Sequence, residues 1–129
     1  MLMTISYEQM RILDMHSARY FEDRMVKHIA KVFPDQYQKM GETGARKLIR
    51  DGIVKAGFYK IKSERDIALF IDLMVGVDPE FDTLEKMQWA RAILLNETYS
   101  AKSRMDILYY QLPYKEAELQ SASKSNEVK

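Results

Sequence analysis

Seven acidic side chains stand between Ser63 and Glu85, in the stretch SERDIALFIDLMVGVDPEFDTLE, and three of them, Asp78, Glu80 and Asp82, alternate along the chain. Alternating oxygens open the ligand set of a calcium loop, which gathers side chains around a hard cation. The rest of that pattern fails: Thr83 stands where the loop needs its glycine, and Trp89 where it needs a bidentate glutamate. Acids near the first turns of helices, favoured by capping and by the helix dipole, are the ordinary explanation. His16 and His28 lie twelve residues apart. On one helix that is about three turns, too far to share a metal. Asp14 or Glu22 could orient a histidine as a general base, yet no serine, cysteine or second acid is placed by motif to complete a mechanism. GETGARK misses the spacing of a phosphate-binding G-x-x-x-x-G-K-[ST] loop. The residues therefore predict no catalytic, cofactor or metal site, and no enzyme.

The charges form a pattern that names no function by itself. Twenty basic and nineteen acidic side chains give a net charge of +1, with no general attraction for nucleic acid or anionic lipid. Their distribution is uneven. From Lys39 to Lys62 there are seven bases and two acids, a local balance of +5; from Ser63 to Glu85 there are seven acids and one base, a balance of −6. Arg46, Lys47 and Arg50 on one side, and Asp72, Asp78, Glu80 and Asp82 on the other, are the candidate partner-binding residues, and equally read as ordinary surface charges. The basic segment is expected to face the acidic one across the fold. Interleaved aromatics, which a nucleic-acid binder would need, are limited to FYK.

The elements that must position these residues read as helices. Glycine and proline are few, and apolar residues recur at 3.6-residue spacing. Ser6 with Gln9 forms a capping box, Ile5 and Met10 a hydrophobic staple, and Met10, Leu13, Ser17, Phe21, Met25, Ile29 and Val32 one stripe of a long first helix. Pro34 stops it after about 27 residues. The stretch Pro34 to Gly44 reads as a connection with room for one helical turn, Thr43 as the N-cap of a second helix, and Gly57 as its C′ residue. Ser63 with Asp66 caps a third helix striped by Ile67, Phe70, Ile71 and Met74, ending near Gly76. Asp78 with Pro79, or else Asp82 or Thr83 just beyond, starts a fourth carrying Leu84, Met87, Ala90, Ile93 and Leu94, with Trp89 on its flank. A fifth runs from Thr98 to Pro113. The prediction is an all-α, compact bundle of about five helices with a long N-terminal helix, one domain over 1–113 and a polar, flexible tail over 114–129.

Cysteine is absent, which excludes disulfides, thiolate metal sites and a cysteine nucleophile and fits a reducing compartment. There is no signal-like N-terminus and no run of about 20 apolar residues, so a cytoplasmic protein with no membrane association is expected.

The segment from Gly52 to Leu94 also carries a resemblance. GIVKAGFYKIKSERDIALFIDLM, then EFD, then WARAIL, with FEDRMVKHIAKVFP at the end of the first helix, resembles a family of small helical proteins of Gram-negative bacteria. Their genes lie beside spike, PAAR-tipped or Rhs-type toxin genes of the type VI secretion system. The matching positions are Gly52, Ile53, Gly57, Tyr59, Ile61, the Ser63 to Asp66 cap, Asp72 to Met74, Phe81-Asp82, Trp89-Ala90 and Ile93-Leu94. The resemblance implies a cytoplasmic adaptor or chaperone-like accessory protein that binds a secreted effector or its spike carrier before export. The alternative is an immunity protein that covers a cognate toxin's active site, an acidic patch suiting the basic groove of a nuclease. A homodimer through the first helix is compatible with the pattern and required by nothing in it.

Overall fold

The computed structural model describes the backbone over 2–128 and the side chains over 17–118. It holds five helices: α1 (Leu2–Val32), α2 (Pro34–Phe58), α3 (Glu64–Gly76), α4 (Gln88–Leu95) and α5 (Ala101–Val128). The described residues contain no strand, and the all-α expectation holds. The side chains of the Ser6 cap, the Ile5–Met10 staple, Leu13 and His16 lie outside the described residues. Within them, no helix is long and apolar enough to cross a membrane.

A single residue, Phe33, joins α1 to α2. Its N–H donates to the Ile29 carbonyl at 2.8 Å and its carbonyl accepts from the Tyr37 N–H at 2.9 Å, so it closes one helix while opening the next. Pro34 then occupies the first helical position, where a missing N–H costs nothing. The stretch expected to be a connection is thus helical, interrupted only at Gly41, whose φ of 70° and ψ of 178° break α2 into two segments. Glycine accepts that φ because it has no Cβ to clash. Thr43, expected to cap the helix, lies past this break and inside the second segment.

Phe21, Met25 and Ile29 of α1 share one core with Ile49, Ile53 and Ala56 of α2 and with Ile67, Phe70, Ile71 and Met74 of α3. Val32, the last member of the predicted stripe, is instead exposed. A Cβ on Gly52 would stand 2.6 Å from Ile71 Cγ1 and 3.1 Å from Met74 Sδ, so the absent side chain is what lets α2 and α3 approach so closely. The end of α2 is not the predicted Gly57. Ile61 N–H reaches the Ala56 carbonyl at 2.9 Å and Lys60 N–H the Gly57 carbonyl at 3.0 Å, the paired bonds of a Schellman motif. Its left-handed position is held by Lys60, at φ 63°. Ser63 caps α3 as predicted, accepting the Asp66 N–H at 3.1 Å while donating to the Asp66 carboxylate at 2.8 Å.

The fourth helix does not begin at Asp78. Asp78 Oδ1 accepts the Glu80 N–H at 2.8 Å, and the Asp78 carbonyl accepts the Phe81 N–H at 2.9 Å. Short 3₁₀ turns at Phe81–Thr83 and Glu85–Met87 then lead into α4. Burying the adjacent pair Phe81 and Asp82 overrides the local start signal. Phe81 extends a chain of rings, 5.1 Å from Phe70, which is 5.9 Å from Tyr59. Ser100, rather than Thr98, caps α5 by accepting the Ser103 N–H at 3.1 Å. Pro113 lies inside α5 rather than stopping it. It is exposed, and the carbonyl left without a donor there can turn to water.

Arg104 closes the bundle. It is 3% exposed, and its Nη1 donates to the Tyr59 carbonyl at 2.9 Å and the Leu94 carbonyl at 2.5 Å, while Nε reaches the Tyr99 carbonyl at 3.2 Å. One guanidinium satisfies acceptors at the ends of α2 and α4 and in the loop before α5, where helix dipoles favour positive charge. Arg104→Met leaves the buried Tyr59 and Leu94 carbonyls without that donor, and a loss of about 3 kcal/mol is expected in urea unfolding. Lys60→Gly relieves the left-handed strain and should raise stability by about 0.5–1 kcal/mol in the same assay, because the Lys60–Glu97 pair it sacrifices is exposed.

Candidate functional site

The predicted charged residues are distributed over three places. Arg46 and Arg50 reach α1, not α3. Arg46 Nη1 donates to Glu22 at 2.7 Å and Asp23 at 2.9 Å, and Arg50 Nε to Glu22 at 2.9 Å. Burial would raise the pKa of Glu22, but hydrogen bonds and charge from Arg50 and Arg46 prevail and hold it below the usual carboxylate range. Lys47 pairs along its own helix with Asp51. The second place gathers around Lys55, whose Nζ donates to the Pro79 carbonyl at 2.9 Å, Glu80 at 2.7 Å and Asp82 at 3.4 Å. Asp82 is 6% exposed and takes a second hydrogen bond, at 2.7 Å, from the Tyr59 hydroxyl. Burial and the Asp82 carboxylate push that hydroxyl well above the ordinary tyrosine range, keeping it a donor. Asp78 shapes the turn. The expected confrontation of a basic second helix with an acidic third is therefore replaced by separate neutralised clusters.

The third place is a hollow of about 510 Å³ between α1 and α3. Along α3, Glu64, Ala68 and Asp72 fall on one row at four-residue spacing. Its two acids cross to α1: Glu64 accepts from Arg24, and Asp72 meets His28 Nε2 with Oδ1 at 2.9 Å and Oδ2 at 3.0 Å. Ala68 between them is small, and apolar Phe21, Met25 and Leu69 line the space beside it. On the next row, Arg65 pairs with Asp106 at 2.6 Å and the Leu69 carbonyl accepts the Tyr109 hydroxyl at 2.6 Å, tying α3 to α5. Arg24 also lies over the Tyr20 ring, 5.0 Å from its centroid.

Of the candidate residues, only Asp72 lines this hollow; Arg24, His28 and Glu64 were missed as its polar ends. Their pairings span 40 and 44 residues, so no local motif encodes them. The acid-alanine-acid row was the readable signal. His28 with Asp72 has the form of a base and its orienting acid, yet no hydroxyl or thiol is among the lining residues. The described residues hold no cluster of three metal-ligating side chains. The arrangement suits insertion of apolar side chains between two polar ends.

No protein-family model, no curated protein and no solved structure matches this chain.

Burial raises the pKa of Asp72 above the usual carboxylate value, and the hydrogen bond and charge of His28 only partly offset it. A carboxyl with a raised folded pKa binds its proton more tightly when folded, so its stabilising contribution is complete below the unfolded pKa and is lost as pH rises through the folded one. Relative to Asp72→Asn, the wild-type chain should lose thermal stability across the window that opens near the ordinary carboxylate pKa of about 4 and extends above it. Calorimetry of both proteins across that window checks the sign.

Proposed function

We propose that this chain is a non-enzymatic accessory protein that binds a partner protein through its helical surface. The observation that carries the reading is the hollow between α1 and α3, with an apolar middle, polar ends and a gap left by Ala68. Such a groove receives the apolar face of a helix, while the polar ends fix its register. The positions that resemble the type VI accessory proteins include Gly52, Ile53, Tyr59, Ile61, Asp66, Met74, Phe81, Asp82, Ala90 and Leu94, all of them buried. They hold the helices together, so the likeness is one of folding pattern. The partner it suggests is a secreted effector or its spike carrier, bound in the cytoplasm before export. The inhibitor alternative drew on an acidic patch. Glu80 and Asp82 are tied to Lys55, and Asp72 to His28, so the patch gives it no support and the adaptor reading is preferred.

The test is a tagged pull-down from a bacterium that encodes the chain, with mass spectrometry of the bound proteins and a parallel bait carrying Ala68→Arg. Recovery of an effector or spike protein by the wild-type bait, reduced about tenfold or more by the variant, is the expected result. Equal recovery by both baits would move the interface away from the hollow. Background alone from a folded wild-type bait would overturn the accessory reading.

A further inference from the structure

A second cavity, of about 300 Å³, lies where the end of α2 meets the first 3₁₀ turn and α4. Val54, Phe58, Thr83 and Arg91 line it together with the hydrogen-bonded Tyr59–Asp82–Lys55 cluster. Phe58 is 55% exposed there, although its neighbour Tyr59 is buried. Leu95 stands one helical turn beyond Arg91 on α4 and is also exposed. The cavity therefore has an apolar wall left open to solvent.

Its polar groups differ in how fully they are satisfied. Lys55 already holds a carbonyl and two carboxylates, and Asp82 holds Lys55 and the Tyr59 hydroxyl. Arg91 lines the same space and makes no hydrogen bond or ion pair with any described residue. An arginine beside an apolar cavity recognises a planar carboxylate in a bidentate manner. The lining carries two positive groups, Lys55 and Arg91, against one negative, Asp82, so a single added negative charge balances the cavity and a dianion such as phosphate exceeds it. Charge and shape together select a monoanion attached to an apolar group.

We propose that this cavity is a docking site for a protein partner segment in which one carboxylate, from an acidic side chain or a chain end, stands next to a bulky apolar side chain. The carboxylate pairs with Arg91, and the apolar group packs against Phe58 and Val54. This site stands apart from the α1–α3 hollow and does not depend on the role assigned to it.

The probes are N-acetyl-L-phenylalanine and its amide, titrated into the isotope-labelled full chain and followed by two-dimensional NMR. The acid should shift resonances of Val54, Phe58, Thr83 and Arg91 and bind about fivefold more tightly than the amide, the preference one exposed charge pair gives. Arg91→Gln should remove that preference while its spectrum stays that of the folded protein, and Arg91→Lys should restore part of it. Equal binding of acid and amide, a preference that survives Arg91→Gln, or no shifts at these residues at about 20 mM probe would each overturn the proposal. Shifts confined to Met25, Ala68 and Leu69 would also overturn it, by placing the probe in the other hollow.

Discussion

A buried guanidinium facing backbone carbonyls holds the two halves of this bundle together. Helices end in acceptors that nothing in the helix can satisfy, and three such ends or loops converge beneath α5. Water could serve them only if the core stayed open. Arg104 serves the Tyr59, Leu94 and Tyr99 carbonyls from within a closed core. The position of α5, and with it the Tyr109 and Asp106 contacts that brace α3, follows from that one requirement.

The same rule governs the carboxylates. Desolvating an ion is costly unless partners replace the lost water. Asp66 is met by the Ser63 hydroxyl and Arg65, Asp82 by Tyr59 and Lys55, and Glu22 by two arginines. The arrangement at Asp66 is local to the start of α3, while those at Asp82 and Glu22 fix one element against another. Where polar pairs bridge helices without filling the space between them, as at Arg24–Glu64 and His28–Asp72, a hollow remains. The hollow is thus a by-product of how the ions around it are matched.

The legible part of the structure was local. The Ser63 cap, the α3 stripe and the helix-dominated class all follow from interactions within four residues. The turn at Lys60 was hidden because a lysine rarely takes a left-handed conformation. Gly57 offered a better-looking signal one turn too early. The start at Asp78 failed because burying Phe81 and Asp82 rewards a different backbone from the one the cap favours. The charge halves were counted correctly but not connected, since Arg50 and Glu22 are 28 residues apart and composition carries no partner list. The hollow needed three-dimensional placement of Arg24 and His28 opposite a row on α3 that was itself readable.

The clasp at Arg104 also orders events as the chain emerges during synthesis. Helices adjacent in sequence pack on one another, α1 with α2 and α2 with α3, so an N-terminal unit can assemble while the remainder is still being made. Tyr59 lies 45 residues ahead of the arginine that completes its hydrogen bonding. Until α5 appears, the Tyr59 carbonyl lacks its arginine partner and the core lacks Met105 and Leu108. The nascent protein therefore passes through a stage with an open apolar end, which the last helix seals.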